Sequence, residues 1–223
     1  MKKIKLIIFA GKGGGDFVAL EHARNAGLIS YELSAFFATD AGSNALEVFQ
    51  KNYHAGARIM DDFRARKDEH FSILMEELAM AAFDYVLLCG FTFILPPQFI
   101  RRFAGKIVNS HHSILPAHPG LFRKEKLLTS GDLFLGATIH EVDEGVDTGK
   151  MLSQCVFPNP GMNGLDQALR MYRFAQDCMS VQWIRNAANG TSAAETSYMH
   201  EVLFRPAIDG DIADLFIKKY FPG

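Results

Sequence analysis

The chain has 223 residues, 48% of them hydrophobic, and a formal charge of -2 at pH 7. That is enough for one large domain with a sizeable core, and it excludes broad electrostatic binding of nucleic acid, because the longest basic cluster is Arg64-Ala65-Arg66-Lys67. The N-terminal apolar run is too short to span a membrane and lacks a signal-peptide cleavage region, and Cys89, Cys155 and Cys178 lack metal-type spacing, so a reduced, cytoplasmic protein is expected.

Ile4 to Ala10 is apolar and rich in β-branched residues, which predicts a buried strand. Gly11-Lys12-Gly13-Gly14-Gly15-Asp16 follows, and helical spacing runs from Phe17 to Ala26. A strand, a glycine-rich turn and a helix make an anion site, because backbone N–H groups at the helix N-terminus face the turn. The Walker pattern is absent, so a plain tight connection remains the alternative. Tyr31 to Thr39 reads as a second strand, and Ser43 to Gln50 as a helix capped by Ser43 or Asn44. Phe71, Leu74, Leu78 and Ala82 mark one face of a helix from Asp68 to Ala82. A third strand is expected at Asp84 to Cys89, a short helix at Pro97 to Arg102 and a fourth strand at Lys106 to Asn109. Strands alternating with helices predict a parallel, doubly wound α/β sheet. After Pro116 the pattern changes to a short helix at Lys124 to Leu128, strands at Gly136 to Val142 and Met151 to Phe157 in hairpin relation, and a long helix from Leu165 to Ala187. Residues 191–223 read as a tail that opens on linker-like Thr191-Ser192-Ala193-Ala194.

Chemistry concentrates in Asn109-Ser110-His111-His112-Ser113-Ile114-Leu115-Pro116. Period-2 alternation puts Asn109, His111 and Ser113 on one side of an extended chain and turns His112 to the other. The run ends a strand, and the carboxyl end of strands is where open α/β sheets bind ligands. Downstream, Ala137 to Glu141 alternates again and leads into Asp147-Thr148-Gly149. An amide that donates without titrating, an imidazole that carries a proton and a carboxylate that orients it are what a polarised carbonyl needs. Asp143 and Glu144 read as solvated turn acids.

The pattern Asn109-x-His111-x-Ser113-x-Leu115-Pro116, followed by His140-x-Val142-Asp143-x-Gly145-x-Asp147-x-Gly149, resembles the folate-dependent formyltransferases. That family includes glycinamide ribonucleotide transformylase, methionyl-tRNA formyltransferase, nucleotide-sugar N-formyltransferases and formyltetrahydrofolate deformylase. The likeness covers residues 1–190 as a catalytic domain and leaves 191–223 as a C-terminal tail. It implies a Rossmann-like, doubly wound, mostly parallel sheet with a C-terminal hairpin and a long helix. It implies Asn109, His111 and Asp147 as the catalytic trio. Folate falls to the Cys89 to Pro96 loop, with Phe91, Phe93, Ile94 and Leu95, together with Val142 and Asp147. The acceptor falls to Gly11, Gly13, Gly14, Gly15, Arg66 and the accessory His140.

The resemblance further implies formyl transfer from 10-formyltetrahydrofolate, without a metal, to a primary amine of a small acceptor. The acceptor is either phosphoribosylglycinamide-like or an amino-sugar nucleotide. No nucleic acid or membrane partner is expected, and the chain is expected to be a monomer or homodimer. A deformylase, which the pair His111-His112 favours, and a non-catalytic folate-binding relative are the alternatives. The chain departs from the family at Phe93, where many members have Arg, and at Gly14-Gly15 or Gly15-Asp16, depending on the gap, where a Ser-Asn pair is usual. Gln176 or Arg173 stands near the place of a ribose-reading Glu. The segment Phe204 to Asp214 is weakly similar to one that follows the catalytic domain in tRNA and sugar formyltransferases.

Overall fold

The structure, a computed structural model, describes residues 3–54, 56–121, 130–161, 164–191 and 195–222. The chain runs β1 (Ile4–Ala10), α1 (Gly15–Asn25), β2 (Tyr31–Ala38), α2 (Asn44–Asn52), β3 (Arg58–Ile59), α3 (Lys67–Met80), β4 (Tyr85–Cys89), α4 (Pro97–Arg102) and β5 (Ile107–His111). It continues with β6 (Phe134–Glu141), β7 (Met151–Pro158), α5 (Leu165–Asn189), β8 (Ser197–Met199), β9 (Val202–Arg205) and α6 (Gly210–Tyr220). The short helix expected at Lys124 to Leu128 and most of the linker expected at Thr191 to Ala194 lie outside the described residues.

Among the described residues, nine strands form one sheet in the order β3-β2-β1-β4-β5-β6-β7-β9-β8. The first five in that order pair in parallel, and β6 joins β5 antiparallel, followed by β7, β9 and β8. Alternation along the strands divides the core in two. Ile4, Leu6, Ile8, Leu87, Cys89, Val108 and Ile139 pack under α1, α2, α5 and α6. Ile7, Phe9, Val86, Leu88 and Ile107 pack under α3 and α4. Ser43 caps α2, its hydroxyl accepting from the Leu46 N–H at 3.2 Å.

The chain leaves β1 for one side of the sheet and returns to place β4 on the other. The strand order therefore reverses between β1 and β4, the switch point beside which such sheets bind ligands. There the Gly11 N–H donates to the Cys89 carbonyl at 3.0 Å. A Cβ at Gly11 would sit 1.9 Å from the Gly90 carbonyl oxygen. Gly14 has φ +59, and a Cβ there would meet the Ala45 Cβ at 2.3 Å. These two glycines let the turn pass between neighbouring backbone and α2.

β5 is longer than the sequence suggests. Its last residues find ladder partners on β6, with Asn109 opposite His140 and His111 opposite Thr138. Residues C-terminal to 190 carry β8, β9 and α6. Val202, Phe204, Ile212 and Phe216 are fully buried in the core shared with α5, and Arg185 of α5 pairs with Asp209 at 2.8 Å and with Asp211 at 2.7 Å.

The glycine turn supplies a direct test of this packing. Gly11→Ala forces a methyl group into backbone and should cost roughly 1–3 kcal/mol or more. Gly13→Ala meets nothing within 4 Å and should stay within about 0.5 kcal/mol of the parent. Urea denaturation midpoints of the two variants check both; equal midpoints would contradict the described approach of Gly11 to Gly90.

Candidate active site

Strand register builds the site. Ile107, Asn109 and His111 point to the α3/α4 side of the sheet, while Val108, Ser110 and His112 point to the α5 side. His140 lies opposite Asn109 on β6 and shares its side. The loop after β6 folds tightly back: the Asp143 carboxylate accepts from the Gly145 N–H at 3.1 Å and the Thr148 hydroxyl at 2.7 Å. Asp147, at the tip, takes the left-handed conformation with φ 55. Strained, over-determined backbone of this kind collects at functional sites. Its carboxylate accepts from the Gly120 N–H at 2.7 Å.

Four polar side chains thereby meet. Asp147 Oδ2 is 3.5 Å from His111 Nδ1, and its Oδ1 is 3.5 Å from His140 Nε2. His140 Nε2 is 3.3 Å from Asn109 Nδ2. Tautomers follow from the partners. His140 Nδ1 lies 2.8 Å from the Glu141 carbonyl and must carry a proton to donate there. Burial pushes the His140 pKa below the usual histidine range, which favours the neutral ring with a bare Nε2. That nitrogen accepts one of the two N–H groups of the Asn109 amide. His111 Nε2 donates to the His118 carbonyl at 2.9 Å, so Nδ1 is the nitrogen turned to Asp147. Ser113, the third residue of the alternation, donates its hydroxyl to the same carbonyl at 2.6 Å. Buried Thr138 fastens the following turn, donating to the Ser113 carbonyl at 2.8 Å and accepting from the Leu115 N–H at 3.1 Å.

These groups open into a cleft of about 480 Å³, within the ordinary range for small-molecule sites. Phe91, Phe93, Ile94, Leu95 and Val142 line it beside Asn109, His111, His140 and Asp147. Phe91 and Leu95 are anchored in the core, and Ile94 is exposed. The Phe93 ring packs against Phe63 at 4.7 Å and Phe91 at 5.5 Å. The Arg64 guanidinium stacks over the Phe93 ring at 5.4 Å.

The remaining expected residues are placed less uniformly. Gly11, Gly13, Gly14 and Gly15 do not line this cleft. They adjoin it through Gly90, where a Cβ would sit 3.0 Å from the Gly14 nitrogen. Arg66 is not brought to the cleft either: its guanidinium pairs with Asp62 at 3.0 Å and also with Glu69. His112 turns away, its ring 6.0 Å from that of Tyr172 on α5. Arg173 is exposed, whereas Gln176 is buried against Ser110 and Asp16. Sequence reasoning missed the His118 carbonyl as the partner of His111, and Thr138 as the brace of the turn. A carbonyl contact carries no side-chain signature, and Thr138 reads only as one more alternating strand residue. Among the described residues, no group of His, Cys, Asp and Glu is arranged to hold a metal ion, and no helix is long and apolar enough to cross a membrane.

Comparison with known proteins follows this geometry. The formyl transferase family matches residues 4–168. The trifunctional purine biosynthetic protein adenosine-3 of Drosophila melanogaster is 35% identical over 121 residues, which are 54% of this chain and 8% of the fly protein. Phosphoribosylglycinamide formyltransferase of Escherichia coli is 28% identical over 155 residues, 70% of this chain and 73% of that enzyme. In three dimensions the chain resembles glycinamide ribonucleotide transformylase 1 of Symbiobacterium toebii, with a TM-score of 0.75 at 23% identity over 89% of this chain and 92% of the other. The chain thus spans a small part of the trifunctional insect relative and about three quarters of the bacterial one, and the match across 4–168 takes in β1 through β7 with Asn109, His111, His140 and Asp147. The chain belongs to the formyl transferase family.

Proposed function

We propose that this chain transfers a formyl group from 10-formyltetrahydrofolate to the primary amine of a small acceptor, phosphoribosylglycinamide-like or an amino-sugar nucleotide. The observation that carries this reading is the convergence of Asn109, His111 and His140 around the Asp147 carboxylate, with 3.5 Å to each histidine, beside an apolar slot. The slot suits a folate: Phe91, Leu95 and Val142 offer flat apolar walls, and the backbone of the loop after β4 offers hydrogen-bond groups to a pteridine edge. When bound, the folate supplies the formyl carbon. Asn109 donates its second N–H to the formyl oxygen and holds the negative charge that develops there. Protonated His111 adds a positive charge beside the same oxygen. Asp147, facing His111 Nδ1, keeps that ring oriented, takes up the proton that the attacking amine releases and, through water or His111, passes it to the departing folate nitrogen as the bond between that nitrogen and the formyl carbon breaks. Neutral His140 fixes the Asn109 amide. Residues 195–222 contribute nothing to the lining of the cleft, so this reading assigns catalysis to residues 1–190 and a structural part to the remainder. Cys89, Cys155 and Cys178 are free and buried, in keeping with a reducing, cytoplasmic setting.

The acceptor site is assigned to the glycine turn. Gly13 and Gly15 face open space, and Asp16, which follows the turn, is folded inward and hydrogen-bonded to Ser180 at 2.7 Å. Its charge is therefore not presented to an incoming anion, and the N–H groups at the start of α1 suit a phosphate. Hydrolysis, with water in place of the amine, is the alternative that the pair His111-His112 favours in sequence, and the His112 ring lies 6.0 Å from that of Tyr172.

Three variants test the mechanism. Asn109→Ala and His111→Ala should each fold normally and slow turnover by about 100-fold or more. Asp147→Asn should collapse turnover while folate affinity changes little, since its assigned task is proton handling. Steady-state rates with a panel of amines, beside fluorescence titration of folate, give both quantities. A variant that keeps most of its rate removes that residue from the mechanism, and formyl release at equal rates with and without every amine converts the reading to a hydrolase.

A second experiment addresses the acceptor. Inorganic phosphate at millimolar concentration should compete with the amine and leave folate binding unchanged, and Gly13→Asp should weaken the amine alone. Absence of competition would contradict a phosphorylated acceptor.

A further inference from the structure

The side of β5 that faces away from the cleft carries a polar assembly of its own. Ser110 stands between Asn109 and His111 and turns its hydroxyl to α5, where Gln176 Nε2 donates to it at 2.8 Å. The same nitrogen lies 3.4 Å from Asp16 Oδ2, and the Ser180 hydroxyl donates to Asp16 Oδ1 at 2.7 Å. Asp16 belongs to the first turn of α1, directly after the glycine turn. Asp16, Gln176 and Ser180 are 6%, 8% and 6% exposed, so water offers little replacement for a lost partner. Packing alone does not hold the strand here. Asn109 and Ser110 border a void of about 20 Å³, walled by Leu87, Val108, Ile139 and Trp183 and by Asp16 and Ser180 of the assembly itself. Behind the reaction centre, β5 is therefore held by hydrogen bonds at a place where apolar contact is incomplete.

We propose that Gln176 is a positioning residue: by bridging Asp16 to Ser110 it fixes the end of β5 so that Asn109 and His111 meet the substrate, and it ties that strand to the glycine turn. The proposal rests on the formyl-transfer reading for its kinetic consequence, though not for its geometry.

The assembly has a pH dependence with a definite sign. Burial, the largest cause, raises the Asp16 pKa to about 6, and the charge of Asp177 on α5 adds to the rise. Asp177 is in turn held by Lys219 and Tyr220 of α6, and the Cys89 thiol of β4, also near Asp16, is pushed well up by burial and stays protonated. Above about 6, then, Asp16 is a carboxylate that accepts from Ser180 and Gln176. Below it the carboxyl gains a proton, loses acceptor capacity among groups that donate to it, and the tie to Ser110 loosens. Turnover should fall on the acid side through this window.

Gln176→Ala, Gln176→Glu and Asp16→Asn, made in the full chain, test the idea by kinetics and by NMR. Gln176→Ala should lower kcat on the order of ten- to a hundredfold, the scale of a small misplacement of catalytic groups, with folate affinity within about twofold of the parent. In Gln176→Glu two carboxyls face each other and share one proton. That variant should work best in acid and lose rate as pH rises, the reverse of the parent. In the parent the Ser110 backbone amide and the Gln176 side-chain amide should titrate with a midpoint near 6; Asp16→Asn should abolish that midpoint and leave the histidine titrations in place. The NMR readout needs no turnover, so a parent protein without formyl-transfer activity would refute the proposed function and still leave the positioning role decided by the resonances of Asn109 and His111 in Gln176→Ala. If Gln176→Ala does not fold, the pH profile of Gln176→Glu decides. Parent-like kcat in Gln176→Ala, unmoved Asn109 and His111 resonances, or a parent-like pH profile in Gln176→Glu would overturn the proposal.

Discussion

Where β6 runs antiparallel against the end of β5, Asn109 comes to lie opposite His140, and the ladder that joins them carries His111 into the same row. A parallel strand in this place would need a crossover helix on one face of the sheet, and that helix would compete for the space the cleft occupies. The antiparallel addition leaves the α3/α4 side of β5 and β6 open beyond α4. It also delivers the loop that carries Asp147 back across the strand ends. The site is thus a consequence of one change in strand direction within a single sheet.

The second consequence is a division of labour between the two faces of β5. Alternation sends Asn109 and His111 to the cleft and Ser110 to a buried hydrogen-bonded cluster under α5. One face lines the cleft; the other is tied to α1 and α5. Because both sets of side chains hang from the same short backbone, a disturbance on the buried side is felt at the cleft, where misplacement of catalytic groups by an ångström costs rate steeply. His140 shows the same economy on β6: its Nδ1 is committed to the Glu141 carbonyl and its Nε2 to Asn109, so its ring orients the amide without itself carrying charge.

Much of this was legible in the residues. The parallel strands announce themselves as short apolar runs, and the alternation of Asn109, His111 and Ser113 places them on one side before any coordinates exist. Capping chemistry alone narrows the cap of α2 to Ser43 or Asn44, and Ser43 takes that place. Less legible was the end of β5, because Ser110 and His111 break the apolar run that marks the buried strands and it is the pairing with β6, a long-range event, that keeps them extended. The two-residue strand β3 is too short to leave a periodic pattern. Arg66 illustrates a different limit: in sequence it reads as a cation near the acceptor, but Asp62, in the turn before α3, and Glu69, in the first turn of α3, take its guanidinium. Arg64, two residues earlier, lies instead over Phe93.

The central claim is that the polar side chains around Asp147 act as one unit on one substrate. A double-mutant cycle on kcat for His111→Ala and Asp147→Asn tests it most directly. Residues that share a task lose it together, so the double variant should be no slower than the slower of the two single variants. Losses that multiply, each variant contributing its full factor in the presence of the other, would contradict the account.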